Sequence, residues 1–434
     1  MRLRHGHDGA SAADSSRLLR AVVTALLTLT VLTVTLLVMT HDAAANTYTP
    51  GDFYTPPSPL PAGNPGDIIK ATPATYAGMS GVTSTRIMYL SEDAHNQPIA
   101  VTGDILVPST PWTGSGPRPV VAYAPFTFGT GAQCLPSKTF SGDFGSGDAS
   151  SFIQNDFVNP LLQKGYAVAE TDYPRSPPGS AYPNDLMYIM RLPQAHATLD
   201  VVRAAERLPN SGLSTTAPVG IDGYSEGGAG AASAAELASS YAPELHIVGS
   251  YAGAVPANLT AVAQSLEGSF YFGFEAMAII GANAAYPEAN IPSLLNSSGL
   301  QAFQSLDQDC TLNGLLGFLY QRSSSYTTSG MSLPQYLQTP QFAPLAAEQT
   351  IGNLKPSAPV EVESAPNDDV IPNSQVITMA KSWCSLGATV QYNNISTLPI
   401  FVHLFGAFNA AGDAASWLAA RFSGQPTSGN CGQF

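Results

Sequence analysis

The stretch Gly223-Tyr224-Ser225-Glu226-Gly227, followed by Gly228, constrains this chain more than any other segment. Taken alone it says little, because a chain with 39 glycines is expected to contain a GxSxG by chance about 0.3 times. Its setting decides. Val219-Gly220-Ile221-Asp222 reads as a buried strand, and Glu226 to Ser240 reads as an alanine-rich helix. A strand that turns sharply into a helix at a serine holds that serine in a strained backbone with its hydroxyl presented. Side chains at the flanking positions would strike the neighbouring strand or helix, so glycine belongs there. The helix opening at Glu226 also aims amide groups and the positive end of its dipole at the same point. The segment therefore predicts a nucleophile at Ser225.

Strand-like and helix-like stretches alternate around this turn. Thr85 to Tyr89, Ile99 to Val107, Pro119 to Tyr123 and Tyr166 to Glu170 read as strands, with helices at Phe152 to Leu162 and Ala195 to Arg207. Between about Pro256 and Ala347 helical stretches such as Leu259 to Ala278 and Leu312 to Tyr320 take over, separated by loops rich in Ser, Asn and Pro. Strands resume at Val360 to Glu363 and Thr389 to Tyr392, flanking a helix at Asn373 to Ser385. The pattern predicts an α/β-hydrolase fold, a mostly parallel sheet with helices on both faces and an inserted helical cap. Residues 46–255 and 348–434 form the core and 256–347 the cap, while 46–66, rich in Pro, Gly and Tyr, read as an extended surface arm.

Arg2, Arg4, Arg17 and Arg20 precede an apolar run from Ala21 to Met39 that exits through Ala43-Ala44-Ala45. This is the pattern of a signal peptide over residues 1–45, and the five threonines within the run count against an uncleaved anchor. The protein is expected to be secreted and soluble, or held at the cell envelope. With the leader's four basic and three acidic residues set aside, 13 basic residues face 28 acidic ones, a net charge of −15. That balance excludes nucleic acid and anionic lipid as natural partners. The even cysteine count, Cys134, Cys310, Cys384 and Cys431, fits two disulfides in an oxidising compartment, and counting leaves three pairings open. No CxxC, HxxxH or HExxH spacing points to a metal, and no Walker A loop or GxGxxG after an early strand points to a cofactor. Sequons begin at Asn258, Asn296 and Asn394.

A serine nucleophile needs a base. Beyond the leader the histidines are His95, His196, His246 and His403. On this kind of sheet the chain order is nucleophile, acid, base. His246 lies 21 residues after Ser225 within the apolar run Leu245 to Val248 and reads as a structural histidine, which leaves His403, in the loop-like apolar segment Leu398 to Phe405. The acid belongs on a loop after a late strand. Asp368 and Asp369 both fit, with Asp368 preferred and Asp369 as the fallback. The oxyanion needs two or more N–H donors. The Glu226 amide is one, and the loop Thr127, Phe128 and Gly129 is the source of the other, with Phe128 the residue assigned.

Several ordered segments now carry a resemblance: Cys134-Leu135-Pro136-Ser137, Gly165-Tyr166-Ala167-Val168 leading to Asp172-Tyr173, the Gly223 to Gly228 turn, Tyr241 to Leu245, Tyr251-Ala252-Gly253, Asp368 to Pro372 and His403. In these the chain resembles the secretory lipase family, the lipase A type. The resemblance covers nearly all of the chain after the leader. It implies Ser225 as nucleophile, Asp368 as orienting acid, His403 as general base, and bonds from Cys134 to Cys310 and from Cys384 to Cys431. The chain departs from the family at Phe128, where relatives often carry a polar or acidic residue, and at Tyr173 to Gly179, where a tyrosine- and glycine-rich stretch is usual.

The resemblance implies hydrolysis of carboxylic esters, triacylglycerols above all, with the cap supplying an acyl-binding tunnel and a transient contact with a lipid interface. Phe270 to Phe274 and Leu315 to Tyr320 are the expected lining. Two rival readings use the same residues: an acyltransferase passing the acyl group to an alcohol or sugar, and an inactive exported binding protein.

Overall fold

The computed structural model describes residues 48–76, 79–140 and 150–434. The expected leader, residues 1–45, lies outside them. Among the described residues nine strands form one sheet in the order β1-β2-β3-β5-β4-β6-β7-β8-β9. These are β1 Ile68–Ala74, β2 Val82–Glu92, β3 Pro98–Pro108, β4 Val120–Ala124, β5 Ala167–Thr171, β6 Pro218–Tyr224, β7 His246–Gly253, β8 Val360–Ser364 and β9 Val390–Asn394. The first three run antiparallel, β3 meets β5 antiparallel, and every pairing from β5 through β4 and β6 to β9 is parallel.

The parallel strands β4, β5 and β8 are buried along their whole length. A parallel strand covered on both faces has no solvent side, which is why Val120-Val121-Ala122 reads as a continuous apolar run. The antiparallel β2 and β3 turn through Asp93 to Gln97. There Asp93 Oδ1 accepts the His95 and Gln97 amides at 2.8 and 2.9 Å, and Asn96 takes the left-handed conformation.

Helices α1 Pro136–Phe140 and α2 Ser150–Gln163 follow β4, α3 Arg191–Arg207 follows β5, and α4 Glu226–Tyr241 follows β6. After β8 come α11 Asn373–Ser385 and α12 Val402–Phe422. One core packs α3, α4 and α11 on a sheet face through residues such as Leu199, Ala231 and Trp383. The other packs α2 and α12 on the opposite face through Phe157, Leu161, Ala410 and Leu418. Glu236, on α4, ties the first layer together by accepting Arg191 Nη2 at 2.6 Å and Trp383 Nε1 at 2.8 Å.

Between β7 and β8 lie six short helices, α5 Leu259–Leu266, α6 Phe272–Ala285, α7 Ser297–Leu306, α8 Thr311–Gly317, α9 Leu333–Tyr336 and α10 Ala343–Glu348. Disulfides join Cys134 to Cys310 and Cys384 to Cys431. The first fastens the loop after β4 to this helical segment. Thr130 and Gly131 reinforce it by donating their amides to Asp309 O at 3.0 and 3.1 Å.

From residue 48 to 67 the chain forms no helix or strand and is held by side chains. Tyr48 donates to Ser176 O at 2.9 Å, and Tyr54 shares a hydrogen bond with Ser137 Oγ at 3.0 Å. Among the described residues no helix is long and apolar enough to cross a membrane.

Candidate active site

Ser225 sits where β6 ends and α4 begins, at φ 61° and ψ −120°. A non-glycine residue held there stores about 1–3 kcal/mol of strain. The neighbours make room for the turn. A Cβ on Gly223 would lie 2.1 Å from Gly227 O, one on Gly227 2.0 Å from Ala124 O, and one on Gly228 2.1 Å from Gly253 O. Each of these would strike backbone, so all three positions require glycine. The Ser225 amide donates to Gly253 O at 3.0 Å, which ties the turn to the end of β7.

His403 is brought to Ser225 across 178 positions of sequence, with Nε2 2.8 Å from Ser225 Oγ. Its Nδ1 lies 2.8 Å from Asp368 Oδ2 and 3.1 Å from Asp368 Oδ1. The Asp368 side chain is fully buried, and its Oδ1 also accepts the Val370 and Ile371 amides at 2.9 and 2.8 Å, so the turn itself fixes the carboxylate. His403 is the second residue of α12 rather than part of a loop. The helix begins one residue earlier, behind Phe401 in the left-handed conformation. Asp369 takes a separate part. Its Oδ1 accepts the His403 amide at 2.9 Å, and its Oδ2 accepts the Val402 amide at 3.2 Å and the Tyr271 hydroxyl at 2.8 Å.

The other histidines lie elsewhere. His246 opens β7 and is exposed, which corrects its reading as a structural histidine of an apolar run, because the run crosses the point where the strand emerges from cover. His196 is the buried one. Its ring stacks on Tyr241 at 4.1 Å, and burial holds it down at about 4. His95 faces Glu288 at 3.3 Å.

Glu226 is buried directly after Ser225. Its carboxyl accepts Gln194 Nε2 at 2.7 Å. Burial pushes it up to about 8, so it is protonated at neutral pH. Thr127 Oγ1 lies 2.9 Å from the Tyr188 hydroxyl. The Phe128 ring stacks on Phe126 at 4.9 Å and packs on the Cys134–Cys310 bond. Its carbonyl accepts the Thr311 amide at 3.1 Å.

A cavity of about 150 Å³ opens at Ser225 and Glu226 and runs among the helices between β7 and β8. Of the segments expected to line it, Phe272, Phe274 and Phe318 do so. Tyr320 is instead exposed, and Phe270 packs on Tyr320 and Phe401 outside the cavity lining.

Residues 146–430 match a family described as secretory lipase. The chain belongs to the secretory lipase family. Lipase 10 of Candida albicans is 27% identical to this lipase over 87% of this chain and 82% of its own. A Mycobacterium tuberculosis protein named a probable inactive lipase is 25% identical over 86% and 82%. The solved structure of Candida antarctica lipase A in its closed state has the same fold, with a TM-score of 0.77 at 23% identity over 90% of each chain. Family and relatives together make this lipase a carboxylic ester hydrolase.

Three groups around the site escaped the sequence reading. They are Tyr271 and Gln194, which bond to Asp369 and Glu226, and Tyr224, whose hydroxyl donates to His403 O at 2.8 Å. Tyr224 carried a sequence signal through its place beside Ser225 and Tyr271 through the aromatic segment Phe270 to Phe274, whereas Gln194 carried none.

Proposed function

We propose that this lipase hydrolyses acyl esters, triacylglycerols among them, outside the cell through an acyl-enzyme on Ser225. The observation that carries the reading is the unbroken line from Ser225 Oγ through His403 to Asp368, 2.8 Å on each side of the imidazole. His403 Nε2 takes the Ser225 proton as Oγ attacks the carbonyl carbon. Asp368 keeps the other ring proton on Nδ1 and stabilises the imidazolium that forms. The tetrahedral oxyanion is met by the Glu226 amide, the first of α4, which has no partner within the helix. Collapse breaks the ester C–O bond and His403 returns its proton to the leaving alkoxide. Water, deprotonated by the same nitrogen, then releases the acid.

The acyl chain lies in the cavity against Phe272, Phe274 and Phe318. In this reading residues 1–45 are a removable leader, 256–347 a cap, and 46–255 with 348–434 the catalytic scaffold. Contact with a lipid surface falls to Leu398, Ile400, Phe401, Leu404 and Phe408, exposed apolar side chains beside His403, together with Tyr320 from the cap. No Asp, Glu, Lys or Arg interrupts residues 395–412.

A chain-length series of nitrophenyl esters tests the reading, run on the wild type and on Ser225→Ala, His403→Ala and Asp368→Asn. Wild-type rates in His403→Ala would overturn it. The mycobacterial relative named inactive gives weight to a second reading, a binding protein without turnover. Under that reading a fluorophosphonate probe leaves Ser225 unlabelled.

A further inference from the structure

Asp369 is the carboxylate that the line from Ser225 to Asp368 does not use, and it is engaged from two directions. On one side it accepts the amides of Val402 and His403, the first two residues of α12. N–H groups in the first turn of a helix have no partner within it, so a carboxylate that takes two of them fixes where the helix starts. The backbone from which the His403 imidazole hangs is fixed with it. On the other side Asp369 Oδ2 accepts the hydroxyl of Tyr271 at 2.8 Å. Tyr271 stands immediately before α6, and Phe272, Phe274, Ala278 and Ile279 of that helix line the cavity. Burial first, and then the bond to Asp369, hold the Tyr271 hydroxyl well above its ordinary range, so it remains a donor at every working pH. One carboxylate oxygen therefore joins the wall of the cavity to the helix that carries His403.

We infer that Asp369 is a positioning residue for His403 and that, through Tyr271, it makes the rate of acyl transfer depend on where the cavity wall sits. The inference rests on the reading of His403 as base and of the cavity as the acyl site. An acyl chain long enough to reach α6 packs against that helix and holds Tyr271 in place. An ester too short to reach it leaves the position of Tyr271 to the packing of α6 and to the Tyr271–Asp369 bond, with no acyl chain to hold it. Loss of the bond therefore penalises short esters more than long ones, and in kcat rather than KM, because the group displaced is the base and not a binding surface. A purely structural role has a different signature, since it lowers the fraction of competent enzyme and scales every substrate alike.

The test uses the full chain carrying Tyr271→Phe, Asp369→Asn or both. Enzyme concentration is taken from fluorophosphonate labelling, so that misfolded protein does not count. Tyr271→Phe is expected to lower kcat on nitrophenyl butyrate about tenfold with KM little changed, and to lower kcat on nitrophenyl palmitate by less. Asp369→Asn lowers both, and adding Tyr271→Phe to it changes little further, since the two side chains act through one bond. Equal fractional losses on the two esters would overturn the inference, as would an effect confined to KM, additive losses in the double variant, or an unchanged Tyr271→Phe. Wild-type rates in His403→Ala would sink the inference together with the reading beneath it, whereas the four preceding outcomes leave that reading standing.

Discussion

Tyr224 and His403 lie 179 positions apart, yet the hydroxyl of the first donates to the carbonyl of the second at 2.8 Å. The residue before Ser225 thus holds the backbone of the histidine that meets Ser225 Oγ. Both are buried, and when the donor is removed the His403 carbonyl keeps only its bond within α12. Tyr224→Phe is expected to cost about 0.5–1.5 kcal/mol of stability, read from urea unfolding. A smaller loss of activity should accompany it.

Asp368 and Asp369 are adjacent, but their replacements should differ in scale. Asp368→Asn disturbs the group that fixes the imidazole tautomer and is expected to lower kcat by about 10³ to 10⁴. Asp369→Asn leaves Asp368 and its bond to Nδ1 in place and should cost far less. Steady-state rates on one short ester, normalised to labelled Ser225, separate the two.

Gly227→Ala should damage folding before it damages chemistry. The added methyl would meet Ala124 O at 2.0 Å, and neither partner can move without shifting β4 or α4. A loss of about 3 kcal/mol is expected, seen as a lower urea midpoint. Gly412→Ala, where nothing lies within 4 Å of the added carbon, is the matched control within a helix and should be neutral or stabilising.

Several carboxyls beneath the site make stability depend on pH. Burial pushes Asp222 up to about 8, burial and then the neighbouring Glu363 raise Glu361 to about 8, and burial raises Glu363 to about 7. The folded chain keeps these groups protonated at pH values where the unfolded chain ionises them, near pH 4. Their contribution is therefore complete below about pH 4 and declines as pH rises, until it is lost above about pH 8. The urea midpoint should fall between pH 5 and pH 8.5, and Asp222→Asn should flatten part of that fall. A midpoint that rises over the same interval would contradict the assignment.

The strained turn at Ser225 and the parallel strands were legible in the sequence because burial on both faces turns β4 and β6 into short apolar runs, and because such a turn selects glycine at fixed offsets. The edge was not. β1 has the sequence Ile-Ile-Lys-Ala-Thr-Pro-Ala, and an edge strand with Lys, Thr and Pro looks like a loop. The start of α12 was hidden for another reason. No Ser, Thr, Asp or Asn caps it locally, since Phe401 occupies the cap position and Asp369, 34 positions before His403, supplies the acceptor instead. The lining of the cavity was half legible. Aromatic residues mark the segment Phe270 to Phe274, but composition does not say which of them face inward.

The Cys134–Cys310 bond sets the boundary of any graft. The loop after β4 gives the carbonyls of Thr127 and Phe128 to Thr311 and donates the amides of Thr130 and Gly131 to Asp309 O. A chimera that borrows the helices from Leu259 to Glu348 from a relative with another acyl preference, but keeps its own loop, would cut across all of these at once. The transferable module is the helical segment together with residues 125–135, and a library built on that pair should retain far more active members than one built on the helices alone.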